Sequence, residues 1–255
     1  MTLALLSALV VLGQAQLVSS VNAFQAGKPF TVAIRLTMDE GYHGYWLNPG
    51  DSGLAPVVNW KLPKGWKASA PEFPVPERIA WAGTTIFGYE HPTLLLVELT
   101  PPHGARSLLL TADLSWMVCK DDCVPVDSAL KLYLRAAKKP ELNRTWATRI
   151  RNQLAERPTR LASPASAIFK VDEIHLTIGS RGLPAGGVID FFPRTTGVAD
   201  PKEPVAVERA EEQTTLKLKL PPYSSKRPVR LSGLLKWSGD GGTKGYWIDV
   251  PISSE

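Results

Sequence analysis

Cys119 and Cys123 are the two cysteines of this 255-residue chain, and Lys120, Asp121 and Asp122 separate them. An apolar run enters the pair (Leu114-Ser-Trp-Met-Val118) and another leaves it (Val124-Pro-Val126). In an extended setting this places the two sulfurs at either side of a tight hairpin end. Bridging needs Cα atoms about 4.4–6.8 Å apart, which such a turn supplies. Three chemistries fit. The first is reversible thiol–disulfide exchange: a disulfide closing a loop of roughly five residues stabilises by only about 2 kcal/mol, against about 4.7 for a hundred-residue loop, so stability is a weak reason for it. A locally closed, exposed bond is also easier to reduce. The second is a structural bridge. The third is a soft site for monovalent copper, with Met117, Cys119 and Cys123 joined by His43, His91 or His103. That ligand set is incomplete, since no Cys-x-x-Cys or His-x-His pair accompanies it. Lys120 favours a thiolate nearby, while Asp121 and Asp122 oppose it and read as turn residues. Spacing alone leaves all three open. No cofactor-binding motif, Ser/His/Asp order or phosphate-cradling glycine loop is present.

The elements that position the pair read as strands. Phe30–Leu36 places Phe30, Val32, Ile34 and Leu36 on one face. Further strands are expected at Val57–Leu62, Thr93–Leu99, Leu108–Val118 and Ala129–Leu134, with proline and glycine punctuation between them. Pro125 lacks a backbone donor, so its strand should be an edge or irregular there. Residues 41–56 (GYHGYWLNPGDSGLAP) read as a loop. The pattern predicts an antiparallel β-sandwich over residues 17–137.

Residues 138–165 read as a helical connector and linker. Within it Leu142, Trp146, Ile150 and Leu154 recur at steps of four between Pro140 and Pro158, which predicts one amphipathic helix. The stretch 161–167 (LASPASA) has linker composition. Strand patterns resume over 166–255, at Ile168–Ile178, Gly187–Phe192, Thr214–Leu220, Val229–Trp237 and Tyr246–Val250, with a turn at 238–242 (SGDGG). This predicts a second small β-sandwich, and nothing in it points to chemistry.

Residues 1–16 form a signal-like segment, with an apolar run from Leu3 to Leu12 followed by Gly13-Gln14-Ala15. Ten apolar residues are too few to span a bilayer but suit an export signal. No Lys or Arg precedes the run, and a buried first strand or helix is the alternative reading. An exported chain places the two cysteines in an oxidising compartment. The net charge of +5 is spread along the chain, which argues against a nucleic-acid partner.

Five segments in order carry a resemblance. They are 44–56 (GYWLNPGDSGLAP), 60–63 (WKLP), 73–78 (FPVPER), 87–90 (FGYE) and 116–125 (WMVCKDDCVP). Together they resemble the N-terminal periplasmic domain of the disulfide reductase DsbD family, especially its ScsB (suppressor of copper sensitivity) group. The second half resembles that group more loosely, through 191–193 (FFP) and 231–235 (LSGLL). The resemblance implies an immunoglobulin-like sandwich with Cys119 and Cys123 as the redox pair at one end. It implies that Phe87, Gly88 and Tyr89 fall where the family has a cap over the disulfide; Tyr45 and Trp46 either line the same end or pack in the sandwich core or a loop. It further implies a periplasmic disulfide-reductase component that takes electrons from a membrane partner and passes them to thioredoxin-like clients, with no cofactor of its own. The family's membrane and thioredoxin-like domains have no counterpart in these residues.

Overall fold

The computed structural model describes residues 12–222, 224 and 227–254. Two β units follow one another, linked by a short helix. In the first, a four-stranded sheet runs in the order Gly13–Ser19, Phe30–Met38, Thr93–Thr100 and Lys67–Ala68. It packs against a five-stranded sheet ordered Glu141–Leu142, Val21–Phe24, Cys123–Ala136, Ser107–Cys119 and Val57–Lys61. The alternation in the sequence decides which side chains meet between the layers. Leu108, Leu110, Ala112, Leu114, Trp116 and Val118 point inward from one strand and meet Val32, Ile34, Leu36, Leu95, Val97 and Leu99 from the other sheet.

The first strand begins at Gly13, which pairs with Met38. Residues 13–16, grouped with the signal-like segment on sequence, are therefore half of a core strand. The apolar run before them lies mostly in 1–11, outside the described residues.

The strands around the cysteines are longer than the hydrophobic pattern alone outlines. Ser107–Cys119 and Cys123–Ala136 form one unbroken hairpin whose register ends at Cys119 opposite Cys123. Pro125 lies opposite Met117, and among the described residues the second strand has a hydrogen-bonded neighbour on its far side only at Arg135 and Ala136. The proline thus sits on an open edge, where a missing N–H breaks no ladder.

The helix spans Ala147–Glu156 and is shorter than the step-of-four pattern predicts. Asn143 is the reason: its side-chain oxygen accepts from the backbone N–H of Thr145 and Trp146, so a turn intervenes before the helix starts. Leu142 consequently lies in a two-residue strand and is exposed. Trp146, Ile150 and Leu154 keep the predicted face and pack on Val18, Ala33 and Leu96 of the first unit.

The second unit is one eight-stranded sheet folded over a core of its own. Its strand Gly242–Ser254 pairs antiparallel with Arg230–Gly239 and, near its end, parallel with Ala165–Lys170. The predicted strand 168–178 is a hairpin of Ala165–Lys170 and Glu173–Gly179, turning at Val171 with φ of 51°. A β-branched residue in that conformation is rare, which hides the turn from sequence reading. The linker-like segment is also part of this fold: Thr159–Arg160 pairs with the strand Gly242–Ser254, and Leu161 is buried in the core.

A third, three-stranded sheet lies between the two units, ordered Gly44–Gly50, Thr84–Tyr89 and Glu77–Trp81. The strand Gly44–Gly50 falls inside the segment predicted as a loop.

Candidate redox-active site

Cys119 and Cys123 are joined by a disulfide, with Cα atoms 4.2 Å apart. The hairpin places both on its outer face, the same side as Met117. Upstream on that face Leu109, Asp113 and Ser115 are exposed. At the end of the hairpin the three-stranded sheet covers it instead. Two backbone hydrogen bonds make the junction: His43 N–H donates to Cys119 O at 2.9 Å, and Cys119 N–H donates to His43 O at 3.1 Å.

This cover makes the two sulfurs unequal. Cys119 is fully buried, among Tyr45, Ile79, Ile86, Trp81 and Met117. Cys123, beyond the edge of the cover, is exposed. The tip of the hairpin Glu77–Tyr89 reaches over the turn between them, where Trp81 donates its indole N–H to the carbonyl of Lys120. That tip is a two-residue turn with φ of 47° at Ala82 and 75° at Gly83, the twist that suits a tight β-hairpin. Lys120 directs its ammonium over the ring of Tyr42, at 5.7 Å.

A polar chain ends at the buried sulfur. The Tyr45 hydroxyl donates to Cys119 Sγ at 2.8 Å and lies 3.7 Å from Cys123 Sγ. His43 Nε2 is 3.3 Å from the same hydroxyl. With the phenolic proton directed at sulfur, His43 supplies the Nε2–H tautomer to the phenolic oxygen. Burial pushes the Tyr45 phenol up to about 12 and lowers the pKa of His43, so both are neutral near pH 7. Gly53 permits this arrangement, because a Cβ there would lie 2.1 Å from the Tyr45 ring.

The residues singled out by sequence divide between the two faces of the cover. Tyr45 faces the disulfide. Trp46, Phe87 and Tyr89 face the other way and form a cluster with Phe192 and Leu234 of the second unit. Gly88 lies at the strand contact, where a Cβ would meet the carbonyl oxygen of Gly44 at 2.0 Å. The residues that sequence reading missed on the sulfur side are Trp81, Ile79 and Ile86; the motif Phe87-Gly-Tyr is adjacent, and period-two alternation from it reaches Ile86. Of the three candidate histidine ligands, His43 comes to the site. His103 lies at the opposite end of the strand Phe30–Met38, against Gly27, and His91 is exposed at another turn. Among the described residues no group of three or more His, Cys, Asp or Glu is placed to hold a metal ion.

Residues 14–134 match the family described as "Thiol:disulfide interchange protein DsbD, N-terminal". No curated protein matches the chain. Among solved structures, the N-terminal periplasmic domain of ScsB from Proteus mirabilis aligns over 95% of this chain and 92% of its own, with a TM-score of 0.66 at 15% identity. BcpA, the major pilin subunit of Bacillus cereus, aligns over 95% and 69% at 11% identity, with a TM-score of only 0.29. No helix of the described residues is long and apolar enough to cross a membrane. Residues 14–134, which hold the disulfide, His43, Tyr45 and the hairpin over it, thus match the DsbD N-terminal domain family, in a chain whose two units share the fold of the ScsB periplasmic domain.

Proposed function

We propose that the chain is a periplasmic relay of electrons by thiol–disulfide exchange, with Cys123 as the point of entry. The observation that carries this reading is the asymmetry of the pair. Exchange proceeds in line through one accessible sulfur, and here Cys123 is an exposed residue while Cys119 is buried beneath a hydrogen-bond donor.

In the working direction both cysteines start reduced. The Cys123 thiolate attacks one sulfur of a client disulfide, and the client's other sulfur leaves as a thiolate that takes a proton from water. Cys119 then gives up its proton and attacks Cys123 Sγ. The Cys119–Cys123 bond forms, and the client's second sulfur leaves. The client gains two electrons and two protons. A membrane-embedded donor resets the pair by the same exchange in reverse: its thiolate attacks Cys123, and Cys119 is the leaving group. A buried thiolate is costly, and the O–H of Tyr45 at 2.8 Å offsets that cost where charge develops. The clients that suit this reading are thioredoxin-like proteins with disulfides of their own, as the family resemblance implies.

Trapping tests the assignment. A Cys119→Ala variant retains the attacking sulfur and lacks the resolving one, so a disulfide-bearing thioredoxin-like protein should accumulate as a mixed disulfide through Cys123. A Cys123→Ala variant should trap nothing. Equal trapping by both variants, or by neither, would overturn the proposal.

A further inference from the structure

The second β unit carries no cysteine, yet it touches the back of the sheet that covers the disulfide. Successive residues of that sheet point to opposite sides. Tyr45, Ile79 and Ile86 face the sulfurs; their immediate neighbours Trp46, Arg78 and Phe87 face the second unit. One backbone therefore carries both contacts, and any shift on one face is a shift on the other.

The contacts on the far face are strong and come from all three strands. From Glu77–Trp81, Arg78 forms a two-pronged ion pair with Asp190, Nε to Oδ2 at 3.1 Å and Nη2 to Oδ1 at 2.7 Å. Its remaining nitrogen donates to the carbonyl of Pro201. The guanidinium also lies over Phe87 and Phe192, at 5.2 and 5.7 Å. From Thr84–Tyr89, Phe87 meets Phe192 edge to face at 5.0 Å. From Gly44–Gly50, Trp46 stacks on Trp247, and the buried Asn48 amide donates to Pro193 O at 2.7 Å. A planar guanidinium held by two carboxylate oxygens and two rings has one orientation, unlike a single exposed ion pair.

We infer that the second unit is a clamp that fixes the covering sheet over Cys119, and that Arg78 and Asp190 are positioning residues for the exchange reaction. Neither touches sulfur; they act through the sheet that holds Tyr45, Trp81 and Ile86 in place. The clamp sets how far the cover must shift before a thiol lines up with the Cys119–Cys123 bond, and so slows reduction by small thiols that make no contact with the cover. This inference rests on the exchange reading and assigns a task to the part of the chain outside the matched family region.

The test uses the full chain and dithiothreitol as the small-thiol probe. Asp190→Arg sets two guanidiniums face to face and should loosen the sheet. Its disulfide should be reduced at least five-fold faster than in the unmodified protein, and backbone amides of Thr84–Tyr89 should exchange hydrogen faster. The double variant Arg78→Asp/Asp190→Arg restores opposite charges and should return the rate to within two-fold. If Asp190→Arg does not fold, the near-isosteric Asp190→Asn carries the same readouts with a smaller expected rise, about two-fold. Faster amide exchange with an unchanged reduction rate would overturn the inference, because the sheet's position would not govern access. Unchanged amide exchange would overturn it too, because the ion pair would not hold the sheet. A disulfide that neither dithiothreitol nor a reduced thioredoxin-like protein opens, in the unmodified protein or in Asp190→Arg, would instead sink the exchange reading beneath it.

Discussion

On one face of the sheet formed by Gly44–Gly50, Thr84–Tyr89 and Glu77–Trp81, Tyr45 sets a phenol against Cys119 and Trp81 closes over the turn. On its other face, Trp46 and Phe87 lie in an apolar cluster sealed by the Arg78–Asp190 pair. The first face is small, polar at one point and open at its margin, where Cys123 emerges. The second is broad, aromatic and closed. In the exchange reading the difference separates two tasks that a single apolar core would mix: the far face would supply rigidity, and the near face would be left free to hold a reactive bond.

Substitutions on each face should therefore fail in different ways. The largest effect is expected from Cys123→Ser, which removes the sulfur of the exposed cysteine and should abolish exchange in an insulin- or client-reduction assay. Its cost in stability should be only about 2 kcal/mol, the value of closing so short a loop, measured by urea unfolding. Next comes Phe87→Ala, on the far face, which leaves a cavity among Phe192, Arg78 and Trp46. It should lower stability by about 3–5 kcal/mol with both cysteines intact. If Phe87→Ala were neutral, the far face would not be the source of rigidity.

A sharper comparison comes from Tyr45→Phe, on the near face. It keeps the ring and removes one hydrogen bond to a developing thiolate, an interaction of about 1.5–3 kcal/mol when its partner is charged. The rate of disulfide opening should fall about ten-fold or more, while stability changes by about 1 kcal/mol. A variant as fast as the parent would show that the phenol is only filler.

The smallest effects are in pH. His43 has a folded pKa below its ordinary value, so between the two the unfolded chain binds more protons. Stability should accordingly fall as pH drops through about 6.5 towards the folded pKa. In His43→Gln that part of the slope should vanish when urea midpoints are compared. The Tyr45 phenol, raised to about 12, should ionise late in an absorbance titration. Since the unfolded phenol loses its proton near 10, this group's contribution to stability is complete below that pH and is lost as pH rises towards 12.

Much of the molecule is legible in its sequence, and the part that is not has a physical cause. The hairpin of Cys119 and Cys123, the two β units and the apolar face of the helix follow from alternation, turn residues and a step of four. Two strands of the covering sheet, Gly44–Gly50 and Thr84–Tyr89, do not follow from alternation, because they are largely buried on both faces. Tyr45 and Trp46 are adjacent and both buried, as are Ile86 and Phe87, so period two is erased and residues 41–56 read as a loop. The motif of Phe87, Gly88 and Tyr89 marks the right hairpin, but alternation turns Phe87 towards the second unit and Ile86 towards the sulfurs. On sequence His43 is a candidate copper ligand; its place beside Tyr45 and Cys119 depends on a bridge between strands far apart in the chain.

Relay of electrons requires that the Cys119–Cys123 bond open and close reversibly under the oxidising conditions of the proposed periplasmic setting. Equilibrating the purified chain in glutathione buffers and counting free thiols measures this directly. The expected result is a reversible two-electron transition with a midpoint above about −300 mV. A bond that stays closed in those buffers, with a midpoint far below that value, would make the disulfide a structural one and contradict the relay.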